Sequence, residues 1–216
     1  MKITIRIILL GAVLLLAYMC YASLLVPITF QNEQKIRETA IIARLIDIRK
    51  AQIEYKNVYK EHTPSFDRLA EFLNNEKLPF IMKEGVLTDE QLEAGMTEQE
   101  AIKKGFITRD TFWILAKDTL FGSGFNAADL RFVPNVKKSD GTPLEFNMDT
   151  ATILSPSGYS VKVFEASVSY DDYLRGLNRQ LIVNLDAVAL TLKKYPGRRV
   201  GSLEEINNYA GNWEDL

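Results

Sequence analysis

The stretch LLVPITFQNEQKIRETAIIARL, residues 24–45, joins the end of an uncharged apolar run to the start of an amphipathic segment, with Pro27 at the junction. The apolar run covers residues 7–26 and contains no charged side chain. A helix of that length, at about 1.5 Å per residue, spans the ~30 Å hydrocarbon core of a bilayer. The sequence therefore predicts a transmembrane helix over residues 7–26.

The charges around this run predict its orientation. Lys2 and Arg6 precede it, and short basic segments beside a membrane span tend to stay in the cytoplasm. Residues 1–6 are therefore predicted to be cytoplasmic, and residues 63–216 to be exported. The only cysteine, Cys20, lies within the run, so the exported part can form no internal disulfide, which fits a periplasm. The predicted location is the inner (cytoplasmic) membrane, with a single pass and a periplasmic C-terminal domain.

Two alternatives to a retained anchor are open. The sequence Cys-Tyr-Ala at 20–22, before Ser23, has the small-x-small order of a signal-peptidase site. Apolar residues resume at Leu24, however, so the run is longer than the ~7–15 residues usual for the apolar part of a cleaved signal. A lipoprotein signal ending at the cysteine would need a small residue where Met19 stands. We therefore expect an uncleaved anchor.

Residues 27–62 have the pattern of an amphipathic stalk helix. Apolar and aromatic residues recur three or four positions apart, and charged residues occupy the remaining surface. Such a face must be covered, either by the chain's own domain or by neighbouring subunits, and the pattern leaves both possibilities open. In the second case it is an interaction face for self-association or for other envelope proteins. The predicted face consists of Ile41, Leu45, Ile48, Tyr55 and Tyr59.

Short helices are predicted in the first part of the head, residues 63–216. Thr63 has the position of an N-cap and Pro64 that of the first helical residue, so a short helix should follow. Two capping-box spacings, at 88–91 and 97–100, then predict a helical insertion over about 88–105 that ends at Gly105.

After this insertion the sequence becomes typical of strands. Segments rich in β-branched and aromatic residues are separated by turn-forming stretches such as KKSDGTP and SPSG. An antiparallel sheet is the simplest assembly of these segments, which are KLPFIM before the insertion and residues 106–116, 129–134, 143–154 and 159–170 after it. The fold class is thus α+β, with an N-terminal transmembrane helix that continues into a long amphipathic helix, followed by an antiparallel-sheet head domain.

Two parts of the C-terminal region stay open. A short helix is expected around YDDYLRGL, but residues 179–192 fit either a strand or a helix. The polar tail carries Tyr209 and Trp213, and it either packs back on the head or offers a peptide to a partner.

The N-terminal third of the chain resembles type IV pilins and the pseudopilins of type II secretion. The resemblance covers about residues 10–75 and rests on an apolar helix with a proline near its outer third, Phe30 soon after, a T-P-S-F turn and an IxxAQxxY pattern from Ile48 to Tyr55. It implies a helix that presents a small α+β head within a secretion or appendage machine. The family's cleavage glycine and N-terminal glutamate are absent, because the corresponding positions fall near Arg6 and Leu10.

No arrangement of histidine or cysteine predicts catalysis. His62 is the only histidine and precedes a predicted helix cap, where a surface turn residue is the ordinary explanation. A G-x-G-x-x-A match begins at Gly122, but a dinucleotide site needs a buried strand directly before it, and Lys117 and Asp118 interrupt that run.

Carboxylate pairs are present at 171–172 and 204–205, but without the spaced oxygen ligands of a calcium loop. We therefore expect no catalytic, cofactor-binding or metal-binding residues and no enzyme. An exported hydrolase that uses carboxylates would need a deep cleft lined by them. The 26 basic and 28 acidic residues nearly cancel, so nucleic acid is not an expected partner.

The function predicted from these observations is that of a single-pass, membrane-anchored structural or assembly protein with an exported interaction domain. Its predicted partners are the lipid bilayer and other envelope proteins, or a second copy through the stalk helix. The alternative is an anchored or secreted module that binds a ligand or peptide.

Overall fold

A computed structural model describes residues 2–89, 93 and 95–214 of the chain. In chain order the elements are helices α1 (Lys2–Tyr59) and α2 (Phe66–Asn75), strand β1 (Lys77–Glu84), helix α3 (Glu98–Lys103), strand β2 (Thr108–Leu115), helix α4 (Ala116–Leu120), a 3-10 helix (Ala127–Arg131), strands β3 (Phe132–Lys137), β4 (Pro143–Glu145), β5 (Asn147–Leu154) and β6 (Ser160–Ser169), helices α5 (Tyr170–Tyr173) and α6 (Arg179–Thr191), and strand β7 (Gly197–Gly201). The α+β class and the long N-terminal helix are confirmed.

Helix α1 is continuous over 58 residues and contains Pro27 in its interior. A proline removes one intrahelical hydrogen bond. Two residues later the Thr29 hydroxyl donates to the carbonyl of Leu25 at 2.9 Å. The helix ends at Tyr59, before the expected boundary at residue 62, because Lys60 adopts a left-handed conformation with φ 63°.

The chain divides into two compact units. The first unit contains the chain up to Ser65 and from Leu130 onward. In it, α1 packs against β3, β6 and β7. All paired strands are antiparallel, in the order β5-β6-β7 for one sheet and β3-β4 for another.

The inner positions of β6 form much of the core of this unit. Phe164 and Ala166 are fully buried, and Val200 of the neighbouring β7 is buried opposite Ala166. The two turn-forming stretches predicted from the sequence, KKSDGTP and SPSG, connect β3 to β4 and β5 to β6. Their glycines, Gly141 and Gly158, have φ values of 84° and 81°, which L-residues with a side chain adopt at a cost.

The second unit contains Phe66–Asp129. Its sheet is the antiparallel pair β1-β2, in register from Lys77 opposite Leu115 to Glu84 opposite Thr108. Helix α2 packs against α4 and β2 within the unit. The buried apolar residues of α2 are Leu69, Phe72 and Leu73.

Several local predictions can be compared with these elements. The capping box of Thr97 with Glu100 is present at the start of α3, and Gly105 follows that helix with φ 76°. Gln91, the second residue of the other predicted capping box, lies outside the described residues. Helix α2 begins at Phe66, two residues later than predicted, because the Thr63 hydroxyl accepts a hydrogen bond from the backbone N–H of Ser65, only two residues ahead.

The predicted strand segments form strands over most of their length, except for 129–134, of which residues 129–131 belong to the 3-10 helix. The strands form three small antiparallel sheets where one was expected. Residues 179–192, which fitted either pattern, form helix α6 up to Thr191. The C-terminal tail packs back on the first unit, since Gly211 forms a bridge with Val200 and Tyr209 contacts the ring of Phe164 at a centroid distance of 5.4 Å.

Candidate functional site

The first part of α1 is an exposed apolar surface. Residues 3–21 are all exposed, and the most apolar 18-residue window of the helix has a mean hydropathy of 2.3 with none of it buried. By length and composition, α1 is the one helix among the described residues able to cross a membrane. A helix near the N-terminus with these properties also fits a signal sequence.

The second part of α1 lies in the core of the first unit. Burial begins at Phe30, which is 6% exposed, only four residues after the predicted end of the span. Of the predicted interaction face, Ile41, Leu45 and Ile48 are fully buried by the chain itself. In this structure, the chain's own domain therefore covers these three residues.

The remaining two residues of that face are tyrosines at the end of α1. Tyr55 is 9% exposed, whereas Tyr59 is 45% exposed, and their rings pack at a centroid distance of 4.7 Å. A role of the face in binding another subunit stays a prediction, and within the face Tyr59 is the residue with substantial exposed surface.

Gln52 connects the end of α1 to the chain that follows it. Its side chain is fully buried, its amide nitrogen donates to the carbonyl of Thr63 at 2.6 Å, and its amide oxygen accepts from the backbone N–H of Thr63 at 3.2 Å. One side chain thus satisfies both backbone groups of a buried residue, which would otherwise be costly. The sequence pattern singled out Gln52 but gave no reason for an amide at that position.

His62 is buried, so the prediction of a surface turn residue was wrong. Its ring packs at 4.9 Å from the ring of Phe164 and at 5.1 Å from that of Tyr209, and the residue is 6% exposed. The Tyr209 hydroxyl lies 3.1 Å from Nε2, and the Gln52 amide oxygen lies 3.3 Å from Nδ1. Sequence reasoning missed this site because Tyr209 is 147 residues away in the chain.

These contacts form one consistent chain of hydrogen bonds around a neutral imidazole. Lys56 Nζ donates to the Tyr209 hydroxyl at 2.6 Å, the hydroxyl donates to Nε2 of His62, and Nδ1–H donates to Gln52. Burial, together with the nearby charge of Lys56, lowers the pKa of His62 from 6.5 to about 4. At neutral pH this histidine is therefore an uncharged structural group.

A second polar cluster lies farther along α1 toward the N-terminus. Glu38 accepts from Arg198 Nη2 at 2.6 Å and from the Tyr173 hydroxyl at 2.6 Å, and the Glu38 and Arg198 side chains are both mostly buried. Arg37 donates to the carbonyl of Tyr173 at 2.8 Å. Burial, and then the Glu38 carboxylate, raises the pKa of Tyr173 well above its ordinary value. These charge-assisted bonds attach α1 to α5 and β7.

The remaining chemical motifs have structural roles. The G-x-G-x-x-A sequence that begins at Gly122 follows helix α4 and precedes a 3-10 helix. The strand, turn and helix of a dinucleotide site are therefore not formed there. Asp171 pairs with Arg179, and Asp172 accepts from the Ser169 hydroxyl at 2.6 Å beside the start of α5. Glu204 and Glu205 donate their backbone N–H groups to the hydroxyl of Ser202.

No metal centre can be assembled from the described part of the chain. Among residues 2–89, 93 and 95–214, no group of three or more histidine, cysteine, aspartate or glutamate side chains could hold an ion. The clusters at Glu38 and His62 join distant segments through hydrogen bonds. What these residues do chemically is hold α1 in the core.

Comparison with known proteins gives no family for this chain, since no protein-family model, no curated protein and no solved structure matches it. A long N-terminal apolar helix followed by a β-sheet domain is compatible with a pilin-like architecture. Support for a pilin-like arrangement therefore comes from the order of the elements in the structure and not from a matching relative.

Proposed function

We propose that this protein is a single-pass membrane-anchored structural or assembly protein, whose head is an interaction module on the exported side of the inner membrane. The observation that supports it is the continuity of α1. One helix carries an exposed apolar segment at residues 3–21 and the fully buried residues Ile41, Leu45 and Ile48. The anchor and the core of the head are thus parts of the same element.

This continuity has a mechanical consequence. Burial of a large aliphatic side chain contributes about 2 kcal/mol, so α1 cannot leave the first unit without unfolding it. The clusters at Glu38 and Gln52 add buried hydrogen bonds to the same helix. Force or displacement applied at the head is transmitted to the membrane through a rigid helix, without a flexible linker. Such a connection suits a subunit of a larger envelope assembly.

The second unit offers a surface for partners. Phe80 and Phe112 face each other across the β1-β2 pair and are 47% and 46% exposed, and Trp113, on the opposite face of the same hairpin, is 63% exposed. Aromatic residues on a protein surface are enriched at protein–protein interfaces. We propose this hairpin as the part of the head that contacts another envelope protein or a second copy.

The likeness to pilins and pseudopilins supports a place in a secretion or appendage machine. The family's leader glycine and glutamate are missing near Arg6 and Leu10. We therefore propose a pilin-like subunit that keeps its N-terminus and stays in the membrane, with Lys2 and Arg6 on the cytoplasmic side.

Site-specific photo-cross-linking in native membranes tests this proposal. A benzophenone side chain at Trp113 should give covalent adducts with other envelope proteins or with a second copy. The matched control is Leu154, which is 71% exposed on the first unit. Adducts from Trp113 that are absent from Leu154 support the assembly function. Equal yields at both positions, or none at Trp113 in a membrane-resident protein, contradict it.

A ligand-binding module is the second candidate, because the first unit has a polar cleft of about 330 Å³ beside the end of α6. Lys193, Lys194 and Arg199 line it together with Glu205. Arg199 also pairs with Glu165 at 3.1 Å, and the two lysines beside it fit a small anionic ligand. Citrate and inorganic phosphate are suitable probes, and a rise in melting temperature that is lost in Lys194→Ala would favour this function.

A further inference from the structure

Helix α1 has almost no free length between the predicted span and the first residue that the head buries. Phe30 is already buried, and it follows the last residue of the predicted span, Val26, by about 6 Å at 1.5 Å per residue. The headgroup layer of a bilayer extends roughly 5–8 Å beyond the hydrocarbon core on each side. The first buried contact of the head therefore falls within the headgroup layer.

Helix α6 is the element of the first unit that reaches this level. The segments on both of its sides meet α1 at Glu38, through the Tyr173 hydroxyl before α6 and through Arg198 after it. Between them α6 extends toward the N-terminal part of α1, where its residues lie beside Pro27 and Phe30. Along the axis of α1, α6 lies between Glu38 and the span.

An open apolar cleft of about 190 Å³ separates α1 from α6 at this place. Its apolar walls are Pro27 and Phe30 of α1 with Leu181, Leu185 and Val188 of α6. The α6 residues have the three-to-four spacing of one helix face, which continues to Leu192 beyond the helix end. Val188 is 57% exposed and Leu192 is 60% exposed, so this face is only partly covered by the protein.

We propose that this cleft is a lipid contact, in which lipid of the leaflet around the anchor covers the α6 face and the head rests directly on the bilayer. The inference rests on the proposed anchor. The surface of α1 continues from the span into the cleft at Pro27 without a charged side chain, so the lipid that surrounds the span also reaches the cleft. Amphipathic helices at this depth bury their apolar faces at the boundary between headgroups and acyl chains.

The polar residues of the cleft specify the kind of lipid contact. Gln31, Gln34 and Asn184 line it, and no charged side chain does so. Amide groups both donate and accept hydrogen bonds, which suits the ester and phosphate oxygens of any phospholipid. The contact should therefore not depend on the charge of the headgroup, unlike the binding of a basic surface.

Depth-dependent quenching in nanodiscs tests the inference on the full chain. In a Cys20→Ser background, single fluorophore-labelled cysteines are introduced as Val188→Cys, Leu192→Cys, Leu14→Cys and Leu154→Cys. Leu154 is the last residue of β5 and serves as the control far from the membrane. The β5-β6 hairpin lies near the other end of α1, because Lys162 of β6 pairs with Glu61 there. That end of α1 is about 40 Å from Phe30 along the helix. All four positions are exposed, so labelling should leave the thermal unfolding transition within a few degrees of the parent's.

Lipids with a nitroxide near the headgroup should quench the Val188 and Leu192 labels at least threefold more than the Leu154 label. The ratio should be the same in phosphatidylcholine and in a mixture with phosphatidylglycerol. If Leu14 is quenched by nitroxide deep in the acyl chains while Val188 behaves like Leu154, the lipid contact is refuted and the anchor remains. If Leu14 is not quenched either, the anchor and the proposed function fail with it. Protection of Val188 only in discs that hold two copies would make a second copy the occupant and overturn the inference.

Discussion

The buried His62 gives the most specific prediction of stability. A base whose pKa is lower in the folded than in the unfolded state binds fewer protons when folded. The unfolded chain takes up a proton as the pH falls through 6.5, whereas the folded chain does so only near pH 4. Stability from this residue is therefore complete above about pH 6.5 and is lost progressively as the pH falls toward 4.

The magnitude follows from the two pKa values. With 6.5 for the unfolded state and about 4 for the folded state, the free energy of unfolding falls by about 2 kcal/mol between pH 7 and pH 5. His62 is the only histidine of the chain, and ordinary carboxyl groups titrate near pH 4. Burial raises the pKa of Asp47 and of Asp186, so a His62→Phe variant is needed to separate the contribution of the histidine.

Urea unfolding of the full chain in nanodiscs, followed by tryptophan fluorescence at pH 7 and pH 5, measures this difference. A His62→Phe variant should be less stable at pH 7, because Gln52 and Tyr209 each lose a hydrogen-bond partner, but its stability should be nearly the same at both pH values. The single histidine signal in an NMR titration should not shift between pH 7.5 and 5. A midpoint near 6.5 in the native protein, or equal wild-type stability at pH 7 and 5, would contradict a buried His62 that stays neutral in the folded state.

Three substitutions test how α1 and the sheet are held. Gln52→Ala should lower the free energy of unfolding by about 2–3 kcal/mol, because two buried backbone groups lose their partner, whereas the exposed Gln31→Ala should change it by less than about 0.5 kcal/mol. Leu45 is fully buried, so Leu45→Ala leaves a cavity and should lower the free energy of unfolding by about 3 kcal/mol in the same urea titration. Gly201→Ala places a Cβ against the backbone of the neighbouring strand at φ 73° and should prevent folding, while Gly158→Ala, at φ 81° but in open space, should cost about 1 kcal/mol. Similar losses for the two glycine variants, by circular dichroism melting, would contradict the role given to close strand approach.

Local sequence patterns predicted the elements of this fold well. The capping box at Thr97 and the turn stretches around Gly141 and Gly158 act through neighbours in the chain, so their effect is visible in the sequence. The apolar spacing on α1 identified Ile41 and Leu45 as a covered face for the same reason. Helix α6 was ambiguous because it is apolar on most of its surface, which weakens the periodicity that separates a helix from a strand.

The long-range contacts could not be predicted in this way. His62 lies beside a helix end in the sequence, and only the return of the tail brings Tyr209 over it. Glu38 and Arg198 are 160 residues apart, and neither has a local feature that indicates a buried pair. The division into three sheets depends on which strands meet, which single-strand patterns do not specify.

The intact mass of the protein in native membranes decides whether α1 anchors the head as one uncleaved element. Membranes are washed with sodium carbonate, and the protein in the pellet and in the supernatant is weighed by mass spectrometry. We expect the full-length chain of 24.5 kDa in the pellet. A shorter chain that begins at Ser23 and is released into the supernatant would contradict it.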